Sequence, residues 1–204
     1  MTARGLIPIV FAVCGAAAAL TGCSKNTAPV GTVGFDTLVF YALNHSGPQL
    51  PSGFDLTSQH AVTTDGSESF DVAFDLSPTG QTIIYPIKLV ETGNGIGTPH
   101  QVGLKETTML FDSLACVRAG LPNSCWLTEA PKNGYSFDTV FALTPGLPII
   151  IAASTSGCAS ATNPVLYAKL VVDSVNIGEG QIFARATVDP NCGYRQFLPG
   201  IPNH

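Results

Sequence analysis

Apolar and polar residues alternate with a period of two along much of the chain beyond residue 35, the pattern of strands with one buried face. The plainest run is 68–76, where Phe70, Val72, Phe74 and Leu76 point one way and Asp71, Ala73 and Asp75 the other. The next residues, SPTG at 77–80, form a turn signal, and 81–90 reads as the returning strand of a hairpin. Pro86 lacks an N–H and pushes that strand toward an edge or a bulge. The run 36–43 is apolar on both faces and reads as an inner strand. Further strands are predicted at 100–104, 107–112, 135–143, 147–153, 165–175 and 181–188. TPG at 144–146 joins two of them, and NIGEG at 176–180 joins the last pair. From Cys23 onward, no stretch keeps a helical apolar period for more than a turn or two.

About nine short strands separated by Gly, Pro, Asn and Ser clusters predict an all-β domain over 35–204. The expected architecture is an antiparallel β-sandwich of the immunoglobulin-like kind, and its rival is a closed soluble β-barrel. A transmembrane barrel fits poorly, because LPIIIAA at 147–153 is apolar on both faces and suits a sandwich core rather than a watery lumen. Phe-Asp recurs at Phe35, Phe70, Phe111 and Phe137, but without a fixed period, so no repeat architecture follows. The expectation there is an inward Phe and a solvated Asp at each strand start.

The first residues follow a different logic. Arg4 is the one charge before Cys23, and 6–20 is an apolar run too short to span a bilayer. Together they read as a secretory signal peptide over 1–22. Leu20-Thr21-Gly22-Cys23 resembles the lipobox of bacterial lipoproteins: an aliphatic residue, a small residue, Gly or Ala, then Cys. The resemblance covers only the first two dozen residues. It implies that the Cys23 thiol carries a diacylglyceryl group, that the chain is cut before Cys23, and that the new amine takes a third acyl chain. Two or more acyl chains make anchoring stable, so the implied partner is a membrane. Ser24 follows Cys23 where an Asp would imply retention at the inner membrane in some bacteria. The implied place is therefore the cell envelope, at the outer membrane or surface. Residues 23–34 form a tether of small and turn-forming residues that keeps the domain close to the bilayer.

Composition sharpens this picture. Charged residues make up 11% of the chain, against about 25% in an ordinary globular protein. Helical surfaces are rich in Glu, Lys and Arg, so the scarcity supports β structure. The net charge is −5 and no Lys/Arg cluster exists, which disfavours nucleic acid and attraction to anionic lipid. Cys14 lies in the apolar run and is lost on cleavage. Four cysteines follow Cys23, and an even number in an exported protein reads as two disulfides. Three connectivities exist. Cys116–Cys125 and Cys158–Cys192 are expected, since the first closes a short loop and the second joins two late strands. Each should stabilise by about 3–4 kcal/mol through loop entropy. A zinc site lacks the C-x₂-C spacing, so no metal is expected.

Candidate chemistry is sparse. His45, His60, His100 and His204 show no metal-ligand or HExxH spacing and read as structural. STSGC at 154–158 lacks the frame of a nucleophile elbow. GNGIG at 93–97 is followed by Thr98-Pro99 rather than by a helix, so it reads as a hairpin loop and not a phosphate loop. Asp71 and Asp75 share a strand face and could act as an acid–base or Ca²⁺ pair, but a solvated outer face is the plainer reading. The segment 116–126, CVRAGLPNSCW, combines a short bridge with Arg118, Leu121, Pro122 and the one Trp, Trp126. A stiff loop loses little entropy on docking, and Arg and Trp are common anchors, so Arg118, Leu121 and Trp126 are the candidate interaction residues for an envelope protein or glycan. Trp126 itself reads rather as a cap on the core beneath the loop, which leaves Arg118 as the stronger contact candidate. The function expected is a non-enzymatic, membrane-anchored envelope lipoprotein without cofactor. Its rival is an exported hydrolase or carbohydrate-active module.

Overall fold

The 68–90 hairpin forms as the alternation predicts, as β4 (Val72–Leu76) and β5 (Thr82–Pro86), antiparallel from Val72 opposite Pro86 to Leu76 opposite Thr82. The Ser77 N–H donates to Gln81 and the Gly80 N–H donates back to Ser77, closing the turn. Gly80 sits at φ +80°, a conformation that favours glycine. Pro86 acts differently from the expectation. It does not place β5 at an edge; it ends the strand and starts a 3-10 turn over Ile87–Leu89. The computed structural model describes residues 29, 31–45, 49–90, 100–159, 161 and 163–202. Cys23, His204 and the 93–97 loop lie outside the described residues.

The remaining elements are β1 (Gly34–Tyr41), β2 (Gly53–Asp55), β3 (His60–Val62), β6 (Val102–Glu106), α1 (Ser113–Arg118), β7 (Phe141–Ala142), β8 (Ile149–Ser154), β9 (Val165–Asn176) and β10 (Gln181–Asp189). They build two five-stranded sheets, in the orders β1-β10-β9-β8-β6 and β3-β2-β4-β5-β7. All the ladders are antiparallel. The sheets are separate and do not close, so the fold is a sandwich and not the rival barrel. The five-plus-five division keeps β2 to β5 consecutive in one sheet. It differs from the ABED/CFG order of an immunoglobulin constant domain.

The core between the sheets is aromatic and aliphatic. Phe40, Phe54, Phe74, Ile84, Leu104, Ile151, Leu170 and Ile182 are all fully buried. The Phe40 and Phe74 rings stack with centroids 4.2 Å apart, and Phe54 meets Phe40 edge-on at 6.1 Å. Each such side chain contributes roughly 2–3 kcal/mol through burial. A second core lies on the other side of β8 and β9, where Ile150, Ala152 and Tyr167 pack beneath Leu127, Ala130 and Phe197. This explains the run at 147–153: Ile149 and Ile151 face the partner sheet, while Ile150 faces a cover made from irregular chain around 107–135 and 191–200.

Three expectations change. Residues 107–112 are not a strand: Leu110 makes one parallel bridge to Trp126, and the Asp112 carboxylate then caps α1 by accepting from the Ala115 N–H at 2.7 Å. Residues 135–143 contribute only β7 and an isolated bridge between Ser136 and Leu104. TPG therefore leads from β7 in one sheet to β8 in the other, as a crossover between sheets. Strands β2 and β3 are three residues each, too short to show a period. The NIGEG turn joins β9 and β10 as a hairpin.

Candidate functional site

Both disulfides pair as expected. Cys116 and Cys125 join with Cα atoms 5.9 Å apart, and Cys158 joins Cys192 at 5.5 Å. The second bridge ties a 3-10 turn after β8 to the chain just past β10. The first closes a loop built from α1, a turn and a second 3-10 segment, Asn123–Cys125. Backbone bonds lock both ends: the Leu110 N–H donates to Cys125 at 2.9 Å, and the Leu127 N–H donates to Leu110 at 2.8 Å. Gly120, at φ +67°, turns the chain out of the helix, and the Leu121 N–H returns to the Cys116 carbonyl at 2.9 Å.

The orientation of α1 is unusual for a surface helix. Cys116 is buried, but Leu114 and Val117 are 54% and 62% exposed, and Leu121 beyond the turn is 49% exposed. Residues three apart on a helix share a face, so Leu114 and Val117 form one outward apolar ridge. Arg118 is exposed on the last turn and has no hydrogen-bond or ion-pair partner among the described residues. Of the three candidate contact residues, Arg118 and Leu121 thus face solvent on the loop. Trp126 is half-buried and turns inward.

Under the loop lies a group that sequence reasoning missed. Lys169, on β9, is 2% exposed. Its Nζ donates to the carbonyls of Phe111 at 2.6 Å and Leu127 at 2.9 Å. Three rings enclose it, with Nζ 4.7 Å from the Phe111 centroid, 5.0 Å from Trp126 and 5.5 Å from Phe197. Burial pushes its pKa down to about 8, while Asp112 opposes that shift. Asp112 accepts from Arg185 at 2.8 Å, and Arg185 also grips Asp173 through two bonds at 2.7 and 2.8 Å. Burial raises the Asp112 pKa, but the Ala115 N–H and Arg185 outweigh it and hold the carboxyl below its usual value. Lys169 therefore binds the cover to the sheet, and it is shut away from any substrate. A lysine amid VLYAKLVV was the one sequence signal that could have revealed it.

A second constellation corrects the reading of Asp71 and Asp75 as solvated. They are 2% and 4% exposed, because neighbouring loops fold over β4 and supply donors. Asp71 accepts from the Leu56 N–H at 2.6 Å and holds His100 Nε2 at 2.5 Å. Asp75 accepts from the Asn44 N–H at 3.0 Å and from its side-chain amide. The Phe-Asp expectation likewise holds only in part: Phe70 and Phe111 are buried, but Phe35 is 61% exposed and Phe137 40%. Asp71 and His100 line a cavity of about 500 Å³ with Asp55, Thr57, Glu68 and Thr155. Its other carboxylates are committed to the chain. Asp55 accepts from the Thr57 and Ser58 N–H groups, and Glu68 accepts from the Thr63 N–H and hydroxyl. No hydroxyl is hydrogen-bonded to the His100 ring among the described residues, so the pair lacks a positioned nucleophile. His45 meets the Gly178 carbonyl at 3.1 Å, and His60 lies 4.0 Å from Asp36. Among the described residues no three His, Cys, Asp or Glu side chains are grouped to hold a metal. Comparisons with protein-family models, curated proteins and solved structures return no match.

Proposed function

We propose that this chain is a lipid-anchored lipoprotein of the bacterial cell envelope, a non-enzymatic β-sandwich that works by contact through the loop closed by Cys116–Cys125. The observation that carries the contact reading is the apolar ridge of Leu114, Val117 and Leu121, held outward on a disulfide-closed frame with Arg118 beside it. An exposed apolar surface on a stiff support is the physical form of a docking site, since burial supplies the free energy and stiffness limits the entropy lost. The anchor rests on the lipobox ending in Cys23. Two disulfides suit the oxidising compartment that such an anchor implies. Labelling cells with a fatty-acid analogue tests the anchor. The wild-type chain should carry label, and Cys23→Ala should carry none and persist as a longer precursor. Equal labelling of the two removes the assignment.

The cavity holding Asp71 and His100 favours the second reading, an exported hydrolase or carbohydrate-active module. An imidazole held by a buried carboxylate is the base of many hydrolases. It ranks second because no hydroxyl is hydrogen-bonded to the His100 ring among the described residues, and Asp55 and Glu68 accept hydrogen bonds from their own loops. Turnover of chromogenic esters or glycosides that vanishes in His100→Gln would put it first.

A further inference from the structure

We propose that the partner of this loop is the surface of a lipid bilayer, with Leu114, Val117 and Leu121 entering the boundary between headgroups and acyl chains. The inference rests on the lipid-anchored reading and names the partner of the same site. A water-facing helix turn ordinarily shows polar side chains, whereas α1 turns its apolar pair outward and its cysteine inward. The place where the chain enters the domain identifies the occupant. Val33 stands ten positions after Cys23. That stretch, even fully extended, spans at most about 35 Å. The Val33 N–H donates to the Gly200 carbonyl at 3.0 Å. Beside this bridge stand two more exposed apolar side chains, Phe35 at 61% and Ile201 at 58%. The Phe35 ring meets that of Phe111 at 6.2 Å, directly before the cap of α1.

The entry point and the apolar loop are therefore neighbours, and a short lipid tether holds that end of the sandwich against the bilayer. Charge agrees with an apolar, short-range contact. The chain carries −5 overall, so no long-range attraction to anionic lipid draws it in. Arg118, at the rim of the ridge, is placed to meet a headgroup phosphate. An amphipathic surface of this kind adds a second attachment beside the acyl chains and fixes the orientation of the domain.

Trp126 is the only Trp and adjoins the bridge, so it reports the contact without a label. The full-length protein is purified from bacterial membranes and placed in phosphatidylcholine and phosphatidylethanolamine vesicles, with and without bromine on the acyl chains. Trp126 emission should fall in the brominated vesicles. The pair Val117→Asp and Leu121→Asp should restore it to the level in unbrominated lipid while the protein still floats with the vesicles. Both positions are exposed, and a serine pair serves if the aspartates disturb folding. Emission equal in both lipids from a floating, acylated protein overturns the proposal. So does quenching that survives both pairs, or association of two copies through this ridge with Trp126 unquenched. Mass spectrometry of Cys23 separates the two readings: quenching without acylation sinks the anchor and leaves the docking surface standing.

Discussion

Lys169 should make the protein more stable as the pH rises from about 8 to about 10. Its folded pKa is depressed from 10.5 to about 8. Between those values the unfolded chain binds more protons than the folded one, so stability climbs with pH. With burial, Asp112 and Arg185 alone setting that pKa, the gain from pH 7 to pH 10 would be about 2–3 kcal/mol. At about 0.5 kcal/mol each, the three rings around Nζ return roughly 1.5 kcal/mol to the cation, so the expected rise is about 1 kcal/mol. The hydrogen bonds survive deprotonation, because a neutral amine still has two N–H groups for the Phe111 and Leu127 carbonyls. The other charges facing Lys169 are Asp112 and Arg185, and both keep their charge through this window. Burial raises the pKa values of Tyr135 and Tyr85 above 10, so they oppose the rise from about pH 9 upward, where the unfolded tyrosines begin to ionise, and they do so equally in a Lys169 variant. Urea unfolding followed by circular dichroism at pH 7, 8, 9 and 10 measures the effect. The midpoint should rise by roughly 0.5 M relative to a Lys169→Met variant. Lys169→Met should abolish the rise. A wild-type midpoint that gains no more than the methionine variant's between pH 7 and pH 10 refutes the argument.

Trp126→Ala should cost about 2 kcal/mol by opening the cover above Lys169, whereas Arg118→Ala should stay within about 0.5 kcal/mol; thermal melts of both variants distinguish an inward Trp from an outward Arg. Asp71→Asn should destabilise by about 1–3 kcal/mol, because His100 and the Leu56 N–H both depend on that carboxylate, and an unchanged urea midpoint would show it to be dispensable. Serine in place of both Cys158 and Cys192 should cost about 4 kcal/mol on loop entropy, and non-reducing peptide mapping of the parent should recover that bridge intact.

The alternation of apolar and polar residues located β4, β5 and β10 in the residues that make them. Strand β1, read from its apolar run as an inner strand, instead stands at the edge of its sheet with half its residues exposed, because only the pairing decides which strand lies outermost. The alternation is lost in β2 and β3, where three residues cannot show a period. It also misleads at 107–112, where an Asp112 cap and a cysteine bridge bend the chain into α1. The cysteine pairing was legible because loop length and late position left one economical choice. The resemblance to a lipobox was legible because its four residues are contiguous. What only the tertiary structure decided depends on residues far apart in the chain. The cage around Lys169 draws Phe111, Trp126 and Phe197 from separate segments. The meeting of Asp71 with His100 joins the start of β4 to the residues before β6. The outward turn of Leu114 and Val117 follows from which side of a six-residue helix the buried cysteine takes. A side-chain pattern states how each element divides its faces, and the tertiary fold decides what each face meets.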